Sequence, residues 1–261
     1  MIRFEHVTKQ LSGRNVLDDI TFEIKKGEIF VIVGPSGTGK SVTLKHMVRL
    51  LTPTRGTVWV DDTEISATDG RDLARVRERF GYLFQGGALL GWMTVEDNIA
   101  LPLREKTRLS EDEIARRVAK ALKSVGLERD CGKYPNEISG GMQKRAGLAR
   151  AIVTEPEIVL YDEPTSGLDP VTSRTIDQLI YSLNQELGIT SIVVTHDLQG
   201  ALLIADRIAM LTGGRFVEVS EPSAFVATDQ PDVRAFLDAQ FIPKHGIEGM
   251  GKRGQVPAHN A

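Results

Sequence analysis

Residues 28–41 read EIFVIVGPSGTGKS, a short β-branched run followed at once by a loop with three glycines, a lysine and two serines. The run is too uniformly apolar for a surface strand and suits a parallel strand buried on both faces. The loop fits G-x-x-x-x-G-K-[ST] in the strand–loop–helix setting that pattern requires. Gly34, Gly37 and Gly39 permit backbone conformations that side chains oppose, so successive N–H groups can turn inward toward phosphate. The helix that follows adds the partial positive charge of its N-terminus. Lys40 is then placed to reach outer phosphates and the Ser41 hydroxyl to ligate Mg²⁺. The candidate nucleotide-binding residues are Gly34, Pro35, Ser36, Gly37, Thr38, Gly39, Lys40, Ser41 and Val42.

Two more buried-type runs, EIVLYD (157–162) and TSIVVT (190–195), appear downstream, with the helical pattern TIDQLIYSLNQEL (175–187) between them. TLKHMVRLL (43–51) is the helical pattern after the first run. Such alternation predicts an α/β sheet with helices on its faces. Residues 1–7, 20–24 and 57–61 alternate apolar and polar instead, as half-buried strands do. From about residue 86 to 155 the pattern becomes helix and loop. Ser110 with Glu113 makes a capping box, and Ile114, Val118, Leu122 and Val125 form one stripe, so a helical lobe inserted into the α/β core is expected. Residues 207–219 predict a hairpin turning through TGG, and after about residue 243 periodicity is lost and mobility is expected.

Composition narrows the partners. A net charge of −3 disfavours an electrostatic nucleic-acid footprint, so no nucleic-acid partner is expected. The single cysteine, Cys131, excludes an internal disulfide framework and is read as an incidental thiol. The amino terminus lacks the apolar core of a signal peptide, and no apolar run approaches the ~18 residues of a spanning helix. Work at a membrane would therefore go through a partner.

EIVLYDE delivers Asp162 to the end of a buried strand, where a carboxylate can hold Mg²⁺. Glu163 follows directly and is better placed to accept a proton from an attacking water. In NEISGGMQKRAGLARAIV (136–153), Ser139, Gly140 and Gly141 precede a helical run. They make either a plain N-cap or a second anion site, and the second reading implies contact with a nucleotide held by another copy.

In order, the P-loop, Gln85, ISGGM (138–142), the Asp-Glu pair, SGLD (166–169) and His196 resemble the ATP-binding cassette (ABC) ATPases, over residues 1 to about 240. The resemblance implies a P-loop NTPase (RecA-like) core with an antiparallel β subdomain and an inserted α-helical subdomain. Residues 1–240 would be the nucleotide-binding domain and 241–261 a mobile or partner-docked extension. It further implies a head-to-tail homodimer sandwiching two ATP molecules, each between one chain's P-loop and the other's Ser139, Gly140, Gly141 and Met142. Gln85 would ligate Mg²⁺ or water, Asp169 would cross the dimer seam, and His196 would contact the γ-phosphate. Leu11 stands where the family usually stacks an aromatic on adenine, which predicts weaker base selectivity. Ile138 and Met142 replace the usual first and last residues of L-S-G-G-Q.

Met142, together with FQGGALL…MTVEDNIALPLRE (84–105), resembles the ATPases of Mla/Mce-associated phospholipid transporters. That implies two membrane permease subunits, an Mce-domain substrate-binding protein, in some systems a STAS-domain protein, and a peripheral place on the cytoplasmic face of the inner membrane. Ala88, Leu89, Leu90, Trp92 and Met93 are read as the groove for a permease coupling helix, with plain core as the alternative. Rival readings are the ATPase of an importer for a polar solute such as an amino acid, and a non-transport ABC ATPase acting on DNA or the ribosome. RDLARVRERF (71–80) is read as a solvated helix, Trp59 as packing, and 233–242 as an amphipathic helix with an apolar plug that grips a neighbouring subunit.

Overall fold

The computed structural model describes residues 1–244. β1 (Ile2–Leu11) and β2 (Arg14–Ile24) form an antiparallel hairpin that pairs Ile2 with Ile24 and Phe4 with Phe22. Both strands run longer than their alternating stretches predict. His6 and Asp19 adopt positive φ and the register shifts beside them, so bulges erase the period-2 pattern while pairing continues. β3 (Ile29–Val33) is buried throughout, and the glycine loop leads from it into α1 (Lys40–Met47).

The helix expected to residue 51 stops at Met47. Arg49 takes a left-handed conformation and the Leu50 N–H returns to the Lys45 carbonyl at 2.8 Å, a Schellman-type end. β4 (Arg55–Val60) pairs with β1 and carries β5 (Thr63–Glu64) on its edge. Trp59 is half-buried, donates its indole N–H to Glu5, and lies under the Arg3 guanidinium. α2 (Gly70–Glu78) buries Leu73 and Val76 and leaves its arginines outward, but Phe80 opens a strand, β6 (Phe80–Leu83), rather than closing the helix.

Three helices follow: α3 (Val95–Lys106), α4 (Glu111–Ser124) and α5 (Gly140–Ile152). Ser110 caps α4 by accepting the Glu113 N–H, and Ile114, Val118 and Leu122 are buried. The chain then returns through β7 (Ile158–Asp162), α6 (Pro170–Leu187), β8 (Thr190–Thr195), α7 (Leu198–Ile204), β9 (Arg207–Thr212) and β10 (Arg215–Ser220). α8 (Pro222–Ala227) and α9 (Pro231–Ala239) end the described helices.

Among the described residues the larger sheet has the order β10-β9-β3-β8-β7-β6, parallel except for the β9–β10 hairpin. The smaller sheet, β2-β1-β4-β5, is antiparallel. One core lies between the two sheets and α1, with Phe4, Phe22 and Phe30 stacked in a row. The other joins the opposite face of the larger sheet to α3 through α9. Val233, Leu237 and Ile242 belong to that second core, so the apolar side of the last helix is used within its own chain rather than on a neighbour. Phe241 alone of that segment is left 93% exposed. The extension expected over 241–261 lies, from residue 245 onward, outside the described residues. Among the described residues no helix is long and apolar enough to cross a membrane.

Candidate active site

Parallel pairing sets the site. Val33 lies beside Thr195, and Asp162 beside Val194, so β3, β7 and β8 end together. The glycine loop, the Asp162–Glu163 pair and His196 leave the sheet at the carboxyl ends of its strands, where open α/β sheets bind ligands. A cavity of about 260 Å³ opens there, lined by Val16, Ser36, Gly37, Gly39, Lys40, Ser41, Val42, Gln85 and Glu163. Its floor needs glycine. At Gly39, with φ +104°, a Cβ would stand 2.8 Å from the Val16 carbonyl; at Gly34, 2.2 Å from the Leu211 carbonyl.

Lys40 is buried and donates to the Gly34 and Pro35 carbonyls at 2.8 and 3.0 Å, while its ammonium stands 3.5 Å from Glu163. The Pro35 carbonyl also accepts from Thr38 at 2.9 Å. The Ser41 hydroxyl donates to Asp162 Oδ1 at 2.6 Å. Two oxygen donors so close, beside a lysine and the glycine loop, fit a hard cation shared with phosphate. Glu163 adopts a left-handed φ of 49° at the end of β7, and the two carboxylates have different partners, Ser41 for Asp162 and Lys40 for Glu163. Its Oε2 accepts from His196 Nδ1 at 2.8 Å; a carboxylate only accepts, so Nδ1 carries the proton.

Other residues in this arrangement carry no sequence signal. Tyr82 donates to Asp162 Oδ2 at 3.4 Å and stacks on Phe84; burial, then the Asp162 charge, push its phenol well above the ordinary range. Lys144, buried on α5, donates to the Glu163 carbonyl at 3.2 Å. Burial depresses its ammonium, although Glu163 and Asp162 oppose the shift. Arg150, two turns further along α5, holds the Gly87 and Ala88 carbonyls, both at 2.8 Å, and so pins the turn after Gln85. One helix therefore grips both the backbone of the glutamate and the loop of the glutamine.

Some expected residues stand apart. Leu11 is 40% exposed and does not line the cavity; Val16, on β2, does. Ser139 caps α5 by accepting the Met142 N–H at 3.3 Å, and Gly140, Gly141 and Met142 lie outside the cavity, Gly140 facing Leu168 and Gly141 facing Thr172 of α6. Asp169 caps α6 through the Val171 and Thr172 N–H groups, each at 3.0 Å, and those bonds with the Thr172 hydroxyl hold its carboxyl below the usual range.

The apolar stretch after Gln85 also differs from expectation. A groove of about 530 Å³ runs over Leu50, Phe80, Tyr82, Phe84, Ala88, Leu101, Pro102 and Arg150, and of the five expected residues Ala88 alone lines it. Positive φ at Gly86, Gly87 and Ala88 turns the chain so that Leu89 packs on the core. Asn98, fully buried, then bonds both the N–H and the carbonyl of Leu90 and the carbonyls of Met93 and Thr94. Trp92 is left outside the groove and 75% exposed.

An α/β sheet with a glycine loop, a serine–aspartate oxygen pair and a glutamate held by lysine and histidine at its strand ends defines a P-loop nucleotide hydrolase. The chain belongs to the ABC transporter family, whose model matches residues 17–166. It is 44% identical over 246 residues to the probable ribonucleotide transport ATP-binding protein mkl of Mycobacterium leprae (strain TN), covering 94% of this chain and 71% of that one. It is 38% identical over 242 residues to the methionine import ATP-binding protein MetN 1 of Pseudomonas fluorescens, covering 91% and 72%. Among solved structures it resembles the dimeric post-hydrolysis state of the ATP-binding cassette MJ0796 bound to ADP and Pi (TM-score 0.78, 36% identity, 85% of this chain and 99% of that one). It also resembles cbiO1 from Clostridium perfringens, part of the ABC transporter complex cbiONQ (TM-score 0.80, 31% identity, 92% and 95%). The chain is thus the ATP-binding, ATP-hydrolysing subunit of an ABC transporter, a class of ATPase whose usual ion is Mg²⁺.

Proposed function

We propose that this ATPase drives phospholipid transport between membranes of the cell envelope, working as a homodimer beneath two permease subunits and with an Mce-domain protein. The observation that carries the reading is the signature Ser139-Gly140-Gly141-Met142 joined to the pattern of residues 84–105. Supporting the dimer, the signature lies outside its own chain's cavity, and the similar cassette MJ0796 is described as dimeric. In each composite site Lys40 binds the outer phosphates and Ser139 of the other copy closes over them. Ser41, Asp162 and Gln85 hold Mg²⁺, which when bound offsets phosphate charge. Glu163 takes the proton of the attacking water, and His196 orients that carboxylate and meets the γ-phosphate.

Residues 1–240 act as the nucleotide-binding domain, with residues 86–155 as its helical part; the extension over 241–261, apart from Ile242 in the core, docks a partner, and in some systems a STAS-domain protein joins the ATPase. The apolar groove between β6, α3 and α5 receives a permease coupling helix, with Ala88 on its wall and Leu90, Trp92 and Met93 beyond it. Location is the cytoplasmic face of the inner membrane, held there through the permease. A second reading, an importer of a polar solute, draws on the likeness to MetN 1, whose name states methionine import, and to mkl, whose name states ribonucleotide transport.

Affinity purification of the tagged chain with its native membrane complex separates the two. Co-purifying phospholipid, quantified by mass spectrometry, with an Mce-domain protein is the expected result. A periplasmic receptor for an amino acid or ribonucleotide, with no enriched lipid, would overturn the phospholipid reading.

A further inference from the structure

Besides the Thr195 hydroxyl, which accepts the Asp197 N–H at 3.0 Å, three groups hold the segment His196–Leu198. Glu163 accepts the hydrogen bond of His196 Nδ1. Asp197 caps α7 through the Gly200 N–H at 3.0 Å and pairs with Arg174 of α6. The third group comes from the far end of the chain. Gln240, the residue that closes α9, accepts the Leu198 N–H at 3.0 Å through Oε1 and donates through Nε2 to the His196 carbonyl, also at 3.0 Å. An N–H only donates and a carbonyl only accepts, so both ends of the amide have a single allowed orientation. One side chain thereby spans the backbone on both sides of Asp197.

The position of Gln240 is itself fixed. α9 ends with Phe241 in a left-handed conformation, the Ile242 N–H returning to the Leu237 carbonyl at 3.1 Å, and Ile242 entering the core beside Val233 and Leu237. The Leu198 N–H is one of the first-turn donors of α7 that no carbonyl within the helix can satisfy. Neither Gln240 nor any other residue of α9 lines the nucleotide cavity, yet Gln240 sets the backbone from which the His196 ring projects.

We propose that Gln240 is a positioning residue for ATP hydrolysis: its side-chain amide brackets the His196–Leu198 backbone and ties the aim of His196 to the carboxyl-terminal helix α9. The proposal rests on the reading that His196 serves the hydrolytic step. The bracket leaves ATP binding to the glycine loop and acts on the alignment of the histidine and of the Glu163 carboxylate it holds. Displacement of α9 would lower turnover with little change in nucleotide affinity.

The test uses the purified full chain and its steady-state ATPase kinetics, with ATP affinity measured by calorimetry and folding by thermal melt. Gln240→Ala should lower kcat about tenfold, the scale on which small losses of alignment or one to two hydrogen bonds act, with KM and ATP affinity within about twofold. Gln240→Glu keeps the acceptor, loses the donor and sets a carboxylate against the His196 carbonyl, so it should fall at least as far and covers the case in which the alanine variant misfolds. Phe241→Ser, at the exposed neighbour, should leave all three readouts unchanged. Unchanged kcat in both Gln240 variants, or a fall matched by loss of folded protein or by a parallel rise in KM, overturns the bracket. His196→Ala assayed alongside separates the two levels. Full turnover there removes the premise, whereas its loss with normal Gln240 variants removes the bracket alone.

Discussion

Asp177 offers a quantitative test of how α6 supports the catalytic edge. It sits on α6 one turn after Arg174, 4% exposed, with Oδ2 3.2 Å from the Arg174 guanidinium. Neither of those two atoms makes an aligned hydrogen bond. Burial raises its carboxyl from an ordinary value of 3.8 to about 6, and the Arg174 charge only partly opposes that. A carboxyl whose folded value is raised takes up a proton on folding. Its stabilising contribution is complete below about pH 4 and lost as pH climbs through about 6, a gap of about 3 kcal/mol. Asp177→Asn keeps the shape without the charge, so near pH 8 it should recover much of that difference. Arg174 keeps Asp197 as a partner, which limits the penalty for the lost ion pair. A net gain of about 1–2 kcal/mol at pH 8 should raise the melting temperature by roughly 3–6 °C, with no gain at pH 4.5. Thermal and urea unfolding of the full chain at both pH values would measure it. A variant less stable than the parent at pH 8, or one with the same pH slope, would refute the reasoning.

Glu163→Gln should keep ATP affinity while phosphate release falls by about 100-fold or more, the span of a lost general base; unimpaired turnover would dismiss the proton-accepting role. Lys144→Met removes the donor to the Glu163 carbonyl and also an expensive buried charge. It should lower kcat about tenfold at equal or higher melting temperature, since the bond is charge-assisted but partly desolvated, and a drop in stability with normal kcat would sink that view. Leu101→Asp, in the groove wall, should abolish co-purification with the permease while the isolated chain binds ATP normally. Intact complex would move the docking surface elsewhere.

Why these residues differ in visibility from the sequence is a matter of range. Gly34 to Ser41 declare themselves because the backbone they form is local: positive φ at three glycines, a buried strand before and a helix after. Asp162 and Glu163 are visible for the same reason, at the tip of an uninterrupted apolar strand. Ser41 and Asp162 meet across 121 positions, a meeting that follows only once β3 and β7 take their places on either side of β8. Lys144, Arg150 and Gln240 are ordinary polar residues in helical patterns. Their partners are mostly backbone carbonyls, which every residue carries, so no pattern of residue types could announce them.

The apolar stretch after Gln85 was legible as unusual but not as to where it lies. Its Gly86–Gly87 pair was the available sign of a turn, and that turn carries Leu89 inward while Asn98 ties down the backbone from Leu90 to Thr94. The groove is built instead from β6, α3 and α5, whose residues are dispersed from Leu50 to Thr154. α5 unites these observations. It begins at the signature serine, holds the Glu163 backbone at Lys144, and at Arg150 both lines the groove and holds the turn after Gln85. A rigid helix of this kind cannot shift at one of those points and leave the others where they were. On the proposed docking of a permease helix, a load on the groove wall would therefore reach Glu163 and the Ser139 helix start through a single element, with no chain of small side-chain displacements required.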